Sequence, residues 1–187
     1  MPQKDDMNLA ECRRVSPVPR SLQFKRLFWS IVEVSLYRCS FHTWSGWRIG
    51  LLRMFGADVA WDCTIRRTSR VYYPWLLKMG RLSSLGDRAE VYNLGPVAIG
   101  QRVTVSQEAY LCAGTHDYRS IAMPLMTVPI TIEDDAWICA RAFVGPGVTV
   151  GEGGIVGACA VVMKDVAAWT IMGGNPATVV KKRQKPE

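Results

Sequence analysis

Residues 129–166 read "PITIEDDAWICARAFVGPGVTVGEGGIVGACAVVMKDV". Small or branched apolar residues recur every six positions, at Ile130, Ala136, Ala142, Val148, Gly154, Ala160 and Val166. A companion set follows two residues later: Ile132, Ile138, Val144, Val150, Val156, Val162 and, closing the series, Ala168. Two inward side chains two residues apart define a very short strand, because alternate residues share a face. Gly, Asp and Pro crowd the positions between the pairs, so the chain turns a corner after each strand. Three six-residue sides close one triangular turn, and stacked turns pair in parallel about 4.8 Å apart. A helical bundle would repeat every 3.6 residues, and a sandwich would show longer alternating strands. A fixed period sustained over the whole stretch marks an all-β solenoid. Gly145, in "FVGPG", sits at a corner where φ > 0 is expected.

Upstream the same beat runs through Val91, Val97, Val103 and Ala109, with companions Asn93, Ile99, Val105 and Leu111. A weaker phase covers Ile65, Val71, Leu77 and Leu85. Between the two runs, residues 112–129 lose the beat and hold His116. A segment of that length inside a compact domain is a functional loop. Asn93 breaks the apolar set, and an inward polar residue is costly unless partnered. It contacts either a bound acceptor or His116, or else it is a stacked, turn-forming asparagine. Asp117 either orients His116 or caps the loop.

Ahead of the solenoid, residues 1–20 are polar, carry three prolines and read as a flexible N-terminus. Residues 21–56 read as helical: Ser21 opens "SLQFKRLFWSIVEVSLYR", and "GWRIGLLRMF" ends at Gly56. Residues 57–180 form the solenoid, with its loop at 112–129, and residues 181–187 a basic tail. The run "LFWSIVEVSLY", Leu27 to Tyr37, is about half the length of a membrane span and contains Glu33. It reads as an amphipathic or buried helix and not as an anchor. His42 reads as a partly buried, hydrogen-bonded histidine.

The chain has 187 residues, 49 % of them hydrophobic, which suits one domain with an appendage. Its net charge of +7 points to nucleic acid, an anionic membrane surface or a phosphate-bearing ligand. Single-strand binders interleave aromatics with their basic residues, and that pattern is missing, which argues against nucleic acid. Six cysteines occur without a C-x-x-C pair or a signal-peptide pattern, as expected of reduced thiols in the cytoplasm. Only two histidines exist, neither beside a cysteine pair, so no metal site is expected.

Residues from about 59 to 180 resemble the hexapeptide-repeat acyltransferases, through "YNLGPVAIG", "AYLCAGTHDY", residues 129–166 and "GGNPATVVKK"; "GWRIGLLRMFGADV" adds to the likeness. Within them the chain resembles sugar O-acetyltransferases of the maltose and galactoside group, and those of colanic acid and other exopolysaccharide clusters. The resemblance implies a left-handed parallel β-helix, a hand that runs against the usual crossover preference. It also implies a homotrimer with acetyl-coenzyme A, the acyl donor, in a groove between subunits. His116 would be the general base, and Trp137 would wall the site. The Ala140 N–H would face the thioester carbonyl, and Ala158 would hold the pantetheine arm. Met163 and Lys164 would flank the nucleotide, with Lys181, Lys182 and Arg183 adding charge. Asn93 and Tyr92 would meet the acceptor. The chain departs from the family at Met163, where relatives often have threonine, at Thr178, where they often have arginine, and at Asn93, where they often have aspartate.

The chemistry agrees with a histidine. A sugar hydroxyl must lose its proton as it attacks a thioester, which calls for a base whose pKa lies near the working pH. Two other readings are weighed. A zinc enzyme on the same solenoid needs three histidines. A non-catalytic trimeric assembly module would need no polar histidine loop.

Overall fold

The structure, a computed structural model, describes residues 20–185. The flexible N-terminus expected over residues 1–20 lies, apart from Arg20, outside them, as do residues 186–187 of the basic tail. The chain winds into a left-handed parallel β-helix of about six turns behind a helical segment. Three faces make a triangular prism. The first stacks Asp58–Val59, Leu77–Met79, Val97–Ile99, Ile130–Ile132 and Thr149–Val150. The second stacks Thr64–Ile65, Ser84–Leu85, Thr104–Val105, Trp137–Ile138, Ile155–Val156 and Thr170–Gly173. The third stacks Arg70–Val71, Glu90–Tyr92, Tyr110–Cys112, Phe143–Val144 and Val161–Val162. The apolar pairs read from the repeat fill the interior, Val97 to Ile99 and Ile130 to Ile132 among them. Ala168 does not: it is exposed. The last turn runs only from Ile155 to its partner Ile171, and the buried Thr170 takes the inward place, its hydroxyl accepting a hydrogen bond from Lys182 Nζ at 2.8 Å.

The turns are not all of one length, and the variation is confined to one corner. Val59 pairs with Met79 and Met79 with Ile99, a period of 20, whereas Ile132 pairs with Val150, a period of 18. Six residues separate successive inward positions around the other two corners, as from Val59 to Ile65 and from Ile65 to Val71. The corner from the third face back to the first takes eight in the early turns, Val71 to Met79 and Val91 to Ile99. It takes 21 from Leu111 to Ile132, which is where the long loop enters, and six again from Val144 to Val150.

The other two corners are turned by left-handed residues stacked in columns. Leu82, Arg102, Asp135 and Trp169 have φ between 54° and 60° at one; Arg88, Glu108, Arg141 and Cys159 have φ between 55° and 59° at the next. The left-handed conformation costs a residue other than glycine about 1–2 kcal/mol, and the coils stacked on either side hold it there. Charges along the columns alternate: Glu108 lies between Arg88 and Arg141, and Arg102 pairs with Asp135. Gly145 is different from the expectation, because its φ is not positive; the left-handed glycine of that corner is Gly147, at φ 81°. What Gly145 provides is room, since a Cβ there would come within 2.5 Å of Met163 Sδ.

The helical segment closes the open end of the coil. Helix α1 (Arg20–Val32) runs into a π-helical turn, Glu33–Tyr37, and helix α2 spans Ser45–Met54. Gly56, at φ 95°, follows α2 as read from sequence. A first turn has no coil before it, so its backbone groups need other partners. Trp29 Nε1 donates to Val71 O at 2.7 Å, and Arg53 Nη1 to Val59 O at 2.6 Å. Ser45 Oγ bonds both N and O of Ile65. Arg48 is fully buried; its Nε donates to Ile65 O, and its two Nη groups reach Ser40 Oγ, Phe41 O and His42 O at 2.7 to 2.8 Å. His42 itself is exposed, and its carbonyl, not its ring, is what the fold uses. Removing the Arg48 guanidinium would break the four hydrogen bonds that tie Ile65 O to Ser40 Oγ, Phe41 O and His42 O. Arg48→Met is expected to cost about 3 kcal/mol in urea denaturation. Arg48→Lys should recover little of it, because an ammonium cannot reproduce the fork.

Candidate functional site

The loop after Leu111 is a β-hairpin. Gly114–His116 pairs antiparallel with Leu125–Thr127, placing His116 opposite Leu125. The tip turns through Asp117 to Ser120 and Ser120 to Met123. Met123 has φ 46°, a strained value for a methionine. This conformation accompanies a contact of 2.6 Å between its carbonyl and His116 Nδ1. A carbonyl can only accept, so Nδ1 carries the hydrogen and Nε2 keeps its lone pair. The imidazole is exposed. It therefore presents a fixed proton acceptor at Nε2.

Asp117 does not orient it. Its carboxylate binds Arg119 Nε at 2.9 Å and the Arg119 backbone N–H at 3.1 Å, which holds its pKa below the usual carboxylate range. The reading of Asp117 as a loop cap is the one that the geometry supports. The orienting group is a backbone carbonyl, for which a sequence carries no residue signal.

Asn93 lies at the corner beneath the hairpin, one coil before Ala113. It is fully buried. Its Oδ1 accepts from Tyr73 N at 2.9 Å, and its Nδ2 donates to Tyr73 O at 2.6 Å. Both ends of the amide are thus engaged with the preceding coil, leaving no face for an acceptor sugar. Of the two readings of Asn93, the stacked asparagine describes this geometry, and the acceptor contact does not. Tyr92 is half-buried within an aromatic column on the third face, between Tyr72 at 4.6 Å and Tyr110 at 6.0 Å.

The residues expected at the donor fall elsewhere. Trp137 is exposed on the second face, its indole N–H donating to Ser106 Oγ at 2.8 Å. Ala140 and Ala158 stack at the corner between the second and third faces, with Cys159 N donating to Ala140 O at 3.0 Å. Burial pushes the Cys139 thiol beside them above its ordinary pKa, which disfavours a thiolate nucleophile. A shallow cavity of about 530 Å³ opens on the earlier coils of this corner, lined by Gly86, Ser106 and Gln107 among others. Met163 and Lys164 are exposed after the last strand of the third face, at the same corner as the hairpin. Lys181 lies in the strand Thr178–Lys182, paired with Ile171 on the second face. The basic tail does not hang free: Arg183 Nη1 donates to Asp135 O and Gly153 O, and its guanidinium covers the Trp169 ring.

Within one chain, then, His116, Met163 and Lys164 share one edge of the prism, and Ala140 and Ala158 lie on another, with the third face between them. Tyr118 and Ile121 at the hairpin tip are at least 80 % exposed. Asn93→Ala is expected to lower stability by about 1–3 kcal/mol in chemical denaturation, because it orphans the Tyr73 N–H and leaves Tyr73 O only the Leu76 N–H. An acceptor contact would instead raise KM and leave the melting curve unchanged.

Residues 129–164 match the family described as bacterial transferase hexapeptide (six repeats). The WcaF protein of Escherichia coli (strain K12), assigned by name to colanic acid biosynthesis as an acetyltransferase, is 37% identical over 159 residues. That match covers 85% of this chain and 87% of the relative. A maltose O-acetyltransferase of Clostridium difficile 630 superposes with a TM-score of 0.79 at 21% identity, covering 89% of this chain and 90% of its own. The hexapeptide-repeat acetyltransferase VCA0836 of Vibrio cholerae O1 biovar eltor, complexed with acetyl-coenzyme A, gives 0.79 at 23% identity, covering 92% and 94%.

Proposed function

Because the chain belongs to the hexapeptide-repeat acetyltransferases, and is an enzyme of that kind, we propose that it moves an acetyl group from acetyl-coenzyme A to a hydroxyl of a sugar or polysaccharide precursor, with His116 as general base. The observation that carries this reading is the exposed His116, held at Nδ1 by Met123 O so that Nε2 is the proton acceptor. The colanic acid assignment of the WcaF relative favours an exopolysaccharide acceptor, and the acetyl-coenzyme A in the Vibrio structure favours the donor.

The acceptor oxygen attacks the thioester carbonyl while His116 Nε2 takes its proton. The C–S bond then breaks, and the imidazolium returns the proton to the departing coenzyme A sulfur, which leaves an ester and a thiol. The Ala140 N–H faces the carbonyl oxygen and stabilises its charge. Trp137 walls the groove, Ala158 holds the pantetheine arm, and Met163, Lys164 and Lys181 lie toward the nucleotide. Residues on two edges of one prism serve one reaction when the hairpin edge of one copy meets the alanine edge of the next. A homotrimer closes that arrangement, and the exposed Tyr118 and Ile121 support it. The free cysteines and the coenzyme A donor favour the cytoplasm.

His116→Ala is the test. Turnover should fall by about 10² to 10⁴, with the Kd for acetyl-coenzyme A and its stabilisation of the melting curve unchanged. Wild-type turnover should rise with pH along one acidic limb, since the base acts only when unprotonated, and the variant should lose that limb. Turnover of the variant within about tenfold of wild type would remove His116 from the role of general base.

A further inference from the structure

Helix α1 buries one side against the coil, through Trp29 and Val32, and leaves the other side bare. The bare side carries an apolar stripe. Phe24, Leu27, Phe28, Ile31 and Val34 follow one another at helical spacing and are each 54% to 72% exposed. The Trp47 indole, on α2, donates to Leu36 O at 3.0 Å in the turn that follows α1, and Trp44, 57% exposed, immediately precedes α2. A contiguous apolar surface of this kind marks an interaction site.

Its charge says with what. Residues 20–57 contain Arg20, Lys25, Arg26, Arg38, Arg48 and Arg53 against a single acid, Glu33. Glu33 is buried and engaged by Arg38 at 3.4 Å and Arg70 at 3.3 Å. The segment therefore shows solvent an apolar stripe, two tryptophans and a positive rim that includes the exposed Arg26, Arg38 and Arg53. Two copies of this surface would face like charge with like charge, at a cost. No described helix is long and apolar enough to cross a membrane.

We propose that this face docks on an anionic lipid bilayer, with α1 lying in the plane of the headgroups. Phe24, Leu27, Phe28 and Ile31 enter the acyl boundary, Trp44 and Trp47 lie at the interface, and the basic residues meet the headgroup phosphates. The proposal rests on the helical segment alone and does not depend on the acetyl-transfer reading.

The experiment is co-sedimentation of the full chain with phosphatidylcholine vesicles, with and without phosphatidylglycerol. Wild type is expected to pellet with the phosphatidylglycerol vesicles and to be released by high salt. Its tryptophan emission should shift to the blue on binding. Arg26→Gln should weaken binding about fivefold, the share of one basic residue near a charged surface. Leu27→Glu with Ile31→Glu should abolish binding, and Phe24→Gln, a milder change on the same stripe, should weaken it; both variants should keep the wild-type melting curve. Wild type left in the supernatant with phosphatidylglycerol vesicles overturns the proposal. So does equal binding by the double glutamate variant. If wild type does not bind and the double variant has a lower mass by light scattering, the face belongs to a second copy of the chain.

Discussion

A solenoid of parallel strands satisfies its backbone only where a neighbouring coil exists, so its two ends set the condition that the rest of the molecule meets. At the first turn, side chains stand in for the missing coil. Arg53 reaches Val59 O, Ser45 and Arg48 reach Ile65, and Trp29 reaches Val71 O, one or more for each face. At the last, the strand Thr178–Lys182 folds back antiparallel on Thr170–Gly173. With both ends closed, the flanks and corners are what remains for chemistry.

The corner that varies in length is the one that carries the histidine. Two corners are fixed at six residues by columns of left-handed residues and their ion pairs. The third already holds two extra residues in the early turns, and the hairpin enters there, over the Asn93 amide that ties two coils together. A short ladder and the Met123 carbonyl at the end of the tip turn hold the imidazole above the coils.

The six-residue beat was legible because inward and outward alternation is a local property of a strand. Pairs from Ile130 to Val162 are buried as their spacing demands. Readings failed where the answer lies one coil away. Asn93 looks like an exception to the repeat until Tyr73, twenty residues earlier, is seen to need both of its amide ends. Gly145 looks like a left-handed corner until Met163 is found against it. Ala168 keeps the beat in sequence, but the final turn is too short to use it. His116 could be picked out by its loop, whereas the carbonyl that orients it belongs to the backbone of Met123, which any residue type would supply.

Length added at the third corner is not passed on. Ile99 and Ile132 are 33 positions apart in sequence yet are register partners, and Ile132 pairs with Val150 in the next coil in turn. The scaffold thus behaves as a rack with one open bay. A lineage can exchange the part seated there, longer or shorter, without disturbing the alanine column on a different edge. Such a chain can change what it recognises with one side while the other stays as it is, and relatives that diverge most in that bay need not diverge in the rest.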